Sequence, residues 1–261
     1  MSVVIRSSDE VTAMHEAGRL NAEIREILRE AIRPGLTGIE LDELAKQEIE
    51  RRGAEPTFVD YAPGGRPPYP GAVCFSVNEE LVHGIPSGRA LEDGDIVTID
   101  LGVTYRGWVS DAAFTVGVGD VSPEAEELMR VTEDALWRGI AAAKAGAHLG
   151  DVSFAIGDTA GGYGVIDEYG GHGVGRTMHE EPHILNKGRG GTGLQLKPGM
   201  VLALEPMFAL GHPATAEGPD RWTVSMRDGS LSAHFEETIA IRDGEPLVLT
   251  RIEAPVAGRT R

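Results

Sequence analysis

The sequence predicts an α/β (α+β) chain in which one helix–helix–strand plan is laid down twice, and three features predict it. Helix-start signals recur in the same order in both halves. A strand-like segment ending in a carboxylate recurs with them. Apolar residues fall at helical or strand period, and no run reaches the roughly 18 residues of a membrane span.

The first half opens with Ser7-Ser8-Asp9-Glu10, where Ser7 and Glu10 have the spacing of a capping box. Ala17, Leu20, Ile24, Ile27, Leu28 and Ala31 follow at helical period, and Pro34-Gly35 stops the helix. Thr37 and Glu40 form a second capping box for a helix that carries Leu41, Leu44, Ala45 and Ile49 and ends near Gly53. Ile96 to Val103 and Trp108 to Val116 read as strands joined by a hairpin at Tyr105-Arg106-Gly107. In the second half, Ser122-Pro123-Glu124 starts a helix with Pro at its first position. Leu128, Val131, Ala135, Leu136 and Ile140 form its apolar stripe, and Gly146 ends it. Asp151 then starts a short helix through Val152, Ala155 and Ile156.

The segment from Leu91 to Asp100 aligns with the segment from Leu196 to Glu205: a Leu, a turn containing Gly, a strand, then a carboxylate. Asp100 and Glu205 therefore hold equivalent positions, and a pseudo-symmetric site is expected where the halves meet. The expected organisation is a single domain over residues 1–261, with halves of roughly 1–120 and 121–261.

With 261 residues, 41% of them hydrophobic, the chain can bury one substantial core or two fused halves sharing one. A net charge of −17 repels phosphate backbones, so nucleic acid is excluded as a direct substrate. Most of the acidic residues read as solvated surface, which leaves a minority free to ligate hard metal ions. Cys74 is the sole cysteine, so no internal disulfide forms. The stretch Met1-Ser2-Val3-Val4-Ile5-Arg6 lacks the apolar run of a signal peptide. A cytoplasmic monomer without membrane association is expected.

Folding the ribbon near residue 106 places Asp100 and Asp111 nearly opposite each other. Two such carboxylates repel, so either one is protonated or solvated, or a divalent cation lies between them. His172 sits in Gly170-Gly171-His172-Gly173-Val174-Gly175-Arg176, whose glycines let backbone pass close to a ligand or a neighbouring strand. A lone His is more often a hydrogen-bonded core or surface residue, but His179-Glu180-Glu181-Pro182 follows one strand length on. Glu205 ends the apolar strand Val201 to Leu204, where an unpaired charge is costly. Glu236 and Glu237 interrupt a strand-like run from Ser232 to Ile241. One His with four carboxylates argues against a structural zinc and suits Mn, Fe(II) or Co(II). Five ligands exceed the need of one ion with open positions, and two ions about 3.5–4 Å apart are the natural alternative, a pairing used by aminopeptidases.

The motifs Asn78-Glu79-Glu80-Leu81-Val82-His83-Gly84-Ile85-Pro86, Asp95-Ile96-Val97-Thr98-Ile99-Asp100-Leu101-Gly102, Gly171-His172-Gly173 through His179-Glu180-Glu181-Pro182, and Leu204-Glu205-Pro206 resemble those of type I methionine aminopeptidases. Trp222-Thr223-Val224 and Ser232-Ala233-His234-Phe235-Glu236-Glu237-Thr238 extend the match over almost the whole chain, in order. The resemblance implies the pita-bread fold, with pseudo-two-fold helix–strand halves whose curved antiparallel sheet is covered by helices. It implies a metal-dependent exopeptidase that removes the N-terminal methionine from nascent proteins and peptides with a small second residue. Water activated by two divalent ions (Co, Mn, Fe(II) or similar) would attack the first peptide bond. Asp100 would hold one ion in bidentate fashion, Asp111 and Glu236 would bridge both, and His172 and Glu205 would complete the other shell. Glu205 would also shuttle the proton, while His83 and His179 would bind the scissile amide and stabilise the tetrahedral intermediate. Tyr61, Tyr69, Cys74, Met178 and Trp222 would line the methionine pocket. Met178 stands where this family usually has an aromatic residue. The implied partners are nascent polypeptide N-termini, with a transient ribosome contact. The series Arg25, Arg29 and Arg33 reads as a solvated helix face, with a local basic stripe for ribosomal RNA as the other reading.

Two further readings share the pattern. X-Pro aminopeptidases and dipeptidases normally carry a large N-terminal domain, and this chain begins almost directly with the catalytic half. A non-catalytic pita-bread binding protein would lack metal ligands, and here all five stand with His83 and His179. The short spacings from Glu180 to Glu205 and from Glu205 to Glu236 leave no room for the helical insertion of type II relatives.

Overall fold

The structure is a computed structural model and describes residues 3–252. Met1 and Ser2 of the N-terminal stretch, and residues 253–261, lie outside the described residues.

Helix α1 (Ser8–Ala31) starts at Ser7 and helix α2 (Gly38–Arg51) at Thr37, each with both hydrogen bonds of its capping box. Arg52 and Gly53 close α2, the glycine at φ +66°. Strand β1 (Val73–Val77) follows, then β2 (Ile96–Tyr105) and β3 (Trp108–Gly117). β2 and β3 form a hairpin whose two turn residues, Arg106 and Gly107, both have positive φ (50° and 72°). That geometry matches the right-handed twist of the flanking strands.

The second half repeats the order with α3 (Pro123–Ala142) and α4 (Leu149–Thr159). The expected start of α4 moves: Asp151 is its third residue, and its carboxylate accepts from the His148 backbone N–H at 2.7 Å. Five strands then form an antiparallel ladder in the order β10 (Leu247–Val248), β9 (Glu237–Ala240), β6 (Val201–Leu204), β4 (Gly170–Gly173) and β5 (Glu180–Leu185). β7 (Met207–Ala209) pairs with β8 (Ser232–His234) in a separate antiparallel group. The run read as one strand from Ser232 to Ile241 is thus two strands in two groups, broken at Phe235-Glu236. Glu236 exchanges both backbone hydrogen bonds with Ala113 of β3 (2.9 and 3.2 Å), so it pairs across the halves instead.

That exchange is one stitch of the seam between the halves. Thr115 supplies another, donating to the His234 carbonyl at 2.8 Å and accepting from its N–H at 2.9 Å. A third is Thr238, whose hydroxyl donates to the Asp111 carbonyl (2.7 Å) and accepts from the Asp111 N–H (3.1 Å). The core lies behind these strands. Ile24, Leu28, Leu41 and Ile49 of α1 and α2 pack on Val97, Ile99, Leu101 and Phe114 of the hairpin. Leu128, Leu136, Val152 and Ile156 of α3 and α4 belong to the same continuous core as Leu202, Leu204, Phe208 and Ile239. Asn21 of α1 reaches across to the Leu101 carbonyl (2.6 Å), tying that helix to the strand that carries Asp100.

The arginine series, two on α1 and Arg33 just past its end, departs from the expected solvated face. Arg25 is buried and forms an ion pair with Glu237 at 3.1 Å, and Arg29 lies over the Phe114 ring at 4.0 Å. Arg33 alone of the three is exposed.

Candidate metal centre and its apolar pocket

Strand register decides how the carboxylates meet. Asp100 pairs with Ala113, and Asp111 with Gly102, so the two aspartates are diagonal neighbours on one face of the hairpin and not directly opposite. Cys74 of β1 pairs with Asp100 on that same face. From the second half, His172 on β4, Glu205 just after β6, and Glu236 at the break between β8 and β9 converge on the aspartates.

His172 Nε2 lies 3.7 Å from Asp111 Oδ2, 3.7 Å from Glu205 Oε1 and 4.0 Å from Glu236 Oε1. Its Nδ1 sits 2.9 Å from the Gly173 carbonyl. A carbonyl only accepts, so Nδ1 carries the proton and the Nε2 lone pair faces the carboxylates. Asp111, His172 and Glu236 each offer an atom within 4.8 Å of the others, the one such trio among the described residues. Asp100 Oδ1, Asp111 Oδ1 and Glu236 Oε1 are buried without a hydrogen-bond partner. Buried carboxylate oxygens without donors are costly, and a divalent cation satisfies several together. The donor set therefore fits divalent metal, hard or borderline.

Electrostatics agree. Burial pushes the Asp100 carboxyl up to about 6, with Glu205 adding to the rise and His234 opposing it. Burial, then the neighbouring Asp100 and Glu205, push Asp111 well above the usual carboxylate range. Glu205 rises by burial, and Glu236 by burial and then by Asp111. Burial drops His172 and His83 to about 3, so both are neutral near pH 7.

Beside the carboxylates lies an apolar wall. Tyr69, Cys74, Met178 and Trp222 are buried there, and Tyr61 is half-buried. Tyr69 and Trp222 meet edge to face at 5.1 Å between ring centres. Their polar tips are anchored: the Tyr69 hydroxyl donates to the Gly84 carbonyl (2.7 Å), and Trp222 Nε1 donates to Pro67 O (2.9 Å). Gly102 keeps this wall open, because a Cβ there would lie 2.6 Å from Phe58 Cε1 and 3.1 Å from Met178 Cε. His83 holds a left-handed backbone (φ +60°) and places its ring 6.1 Å from that of Trp222. His179 stands at the mouth, its ring centre 4.4 Å from that of His172. The turn that presents it is held by Glu180, which accepts from the Arg176 and Thr177 backbone (2.9 and 3.4 Å) and pairs with Arg6.

One cavity thus gathers every residue singled out from the sequence: Asp100, Asp111, His172, Glu205, Glu236, His83, His179, Tyr61, Tyr69, Cys74, Met178 and Trp222. Two neighbours were not foreseen. Phe58 lines the same cavity, edge to face with Tyr69. His234 is fully buried with its Nε2 3.5 Å from Glu205 Oε2, and neither ring nitrogen has a hydrogen-bond partner. It stands two residues before Glu236, which was the available signal; Phe58 lies in a stretch with no periodicity to reveal it.

Residues 12–243 match the model of metallopeptidase family M24. This chain belongs to that family. Within M24 it resembles methionine aminopeptidases. It is 42% identical to the one from Aquifex aeolicus, over 97% of this chain and all of that protein. The crystal structure of methionine aminopeptidase from Thermotoga maritima superposes with a TM-score of 0.92 at 40% identity, covering 96% of this chain and 100% of that one. An Xaa-Pro dipeptidase from Bacillus anthracis shares the pita-bread M24 fold less closely, with a TM-score of 0.74 and 26% identity over 95% of this chain and 62% of that one. The chain is a metal-dependent aminopeptidase of the M24 family.

Proposed function

We propose that this chain removes the N-terminal methionine from nascent polypeptides with a small second residue, using two divalent cations held by Asp100, Asp111, His172, Glu205 and Glu236. Asp111 and Glu236 would serve as ligands common to both ions. The observation that carries the reading is the junction of a buried, donor-poor carboxylate cluster with a closed apolar wall in one cavity. The cluster alone fits any M24 hydrolase. The wall, made of aromatic rings, a thiol and a thioether, fits a long unbranched apolar side chain.

When bound, divalent cations supply Lewis-acid activation of the attacking water and of the scissile carbonyl. The residues do the rest. Tyr69, Cys74, Met178, Trp222 and Phe58 grip the methionine side chain and exclude water from it. His83 and His179, neutral because burial lowers both, donate hydrogen bonds to the scissile amide and to the oxyanion that develops there. Glu205 takes a proton from the attacking water on its carboxylate and passes it to the departing amine.

Residues 1–261 act as a single catalytic domain, since the hairpin of the first half and three strand ends of the second build one site. No helix among the described residues is long and apolar enough to cross a membrane. The proposal includes a cytoplasmic monomer that meets its substrates at the ribosome and uses Mn, Fe(II) or Co.

A peptide panel tests the substrate. Met-Ala-Ser is expected to lose Met, and a bulky second residue to slow the reaction. Cleavage of X-Pro peptides with Met-Ala-Ser left intact would replace this reading by that of an X-Pro peptidase, which the lower identity and partial coverage of those relatives favour less.

A further inference from the structure

We infer that the Tyr61 hydroxyl is a positioning group that fixes the tautomer and aim of His179, beyond its place in the pocket wall. The inference rests on the amide-binding role proposed for His179.

The Tyr61 oxygen lies 2.7 Å from His179 Nδ1. The rings are 5.7 Å apart at 32°, so the contact is made edge to edge through the polar atoms and not by stacking. A neutral phenol is a strong donor and a weak acceptor, and an imidazole lone pair is a strong acceptor. The favourable arrangement is Tyr61 O–H donating to Nδ1, which leaves the His179 proton on Nε2. A His that must donate to the substrate amide needs its proton on the nitrogen facing the substrate. The Tyr61 hydroxyl supplies that condition without changing charge, and burial raises the Tyr61 pKa, which keeps the phenol protonated.

The backbone around Tyr61 is built to hold the hydroxyl in place. Tyr61 N–H donates to the Phe58 carbonyl and Tyr69 N–H to the Tyr61 carbonyl, both at 3.0 Å. Asp60, just before it, holds a left-handed φ of +62° and donates to the Tyr69 carbonyl at 2.9 Å. The segment is strapped to the one bearing Trp222: Arg221 donates to the Gly65 carbonyl at 3.0 Å, and Trp222 Nε1 to Pro67. A hydroxyl presented from so tethered a turn loses little entropy on bonding, which is how a solvent-open contact can orient a ring.

His179 lacks any other hydrogen bond to its ring among the described residues. Its second anchor is packing, the ring against His172 at 4.4 Å. Packing limits the tilt of the ring but does not choose which nitrogen carries the proton. That choice falls to Tyr61.

The test compares Tyr61→Phe with His179→Gln and wild type. Tyr61→Phe keeps the ring against the methionine side chain and removes the hydroxyl alone. Kinetics are measured on Met-Ala-Ser, and 15N-histidine spectra are recorded on protein loaded with diamagnetic zinc, with the His179 signals identified by their absence in His179→Gln. The expected result is wild-type His179 protonated at Nε2 with a hydrogen-bonded Nδ1, and a Tyr61→Phe spectrum in which the Nδ1 hydrogen bond is lost. In that variant kcat falls about tenfold while KM and bound metal stay within about twofold. Wild-type His179 protonated at Nδ1, or unchanged kcat in Tyr61→Phe beside a crippled His179→Gln, overturns the inference and leaves the proposed function standing. Wild-type turnover by His179→Gln overturns the role of His179 itself, and this inference falls with it.

Discussion

His172 and His179 lie ring to ring, yet their surroundings assign them different work. His172 is fully enclosed, its Nδ1 spent on a carbonyl and its Nε2 turned to carboxylates. His179 faces the cavity mouth, and its only ring hydrogen bond among the described residues is with Tyr61. Replacing His179 by Ala is therefore expected to leave metal content unchanged and to lower kcat on Met-Ala-Ser about 100-fold. Steady-state kinetics paired with metal analysis checks this; wild-type turnover, or lost metal, contradicts it. Residues of this kind were legible in the sequence because their chemistry is dear. A carboxylate at the end of an apolar strand, or a His among glycines, needs a reason. Phe58 and His234 were not, since an apolar ring and a neutral histidine fit many environments.

At the scale of elements, helix starts were legible because capping is local: Ser7 with Glu10, and Thr37 with Glu40, each settle their helix within four residues. The hairpin turn was legible for the same reason. Long-range pairing was not. Arg25 and Glu237 lie 212 positions apart, and nothing in the four-residue spacing of Arg25, Arg29 and Arg33 marks Arg25 as the buried one. Arg25 Nη2 also donates to the Thr250 carbonyl, and the Thr250 hydroxyl donates to Glu237 and accepts from the Thr238 backbone N–H. Thr238 in turn holds both backbone groups of Asp111. This chain of contacts joins helix α1, strand β9 and the carboxylate hairpin. Losing one member of a buried pair strands the other's charge, so Arg25→Met or Glu237→Leu alone is expected to cost about 3 kcal/mol, and the double variant clearly less than the sum. Urea unfolding of the four proteins measures it, and strict additivity would refute the coupling.

For the whole molecule, the two halves close over a site that neither could build alone. Asp100 and Asp111 come from the first, and His172, Glu205 and Glu236 from the second. The duplication was visible as repeated helix starts and repeated carboxylate-ended strands. The seam that joins the copies was not, because Ala113, Thr115 and Thr238 carry no chemical label. Bringing four carboxylates together has a pH signature. Burial raises Asp100 to about 6 and pushes the other three well above the usual carboxylate range. Their folded-state pKa values exceed their unfolded values near 4. The stability they confer is thus present below about pH 4 and lost as pH rises through the folded values. Divalent ions compete with the same protons. The rise in Tm on adding Mn is therefore expected to be larger at pH 8 than at pH 5.5. An equal or smaller rise at pH 8, read by differential scanning fluorimetry, contradicts the assignment.

The proposed function stands or falls with the carboxylate cluster as the holder of the ions that remove methionine. The direct measurement is turnover of Met-Ala-Ser by protein stripped of metal and then reloaded with one ion at a time, with metal content read on the same samples. Stripped protein is predicted to be inert, and activity to return as divalent ion binds. In Asp111→Asn, which removes a ligand from the trio with His172 and Glu236, both binding and turnover are predicted to fall together. Full turnover by metal-free protein, or by an Asp111→Asn variant that no longer binds the ion, would rule out that role for the cluster.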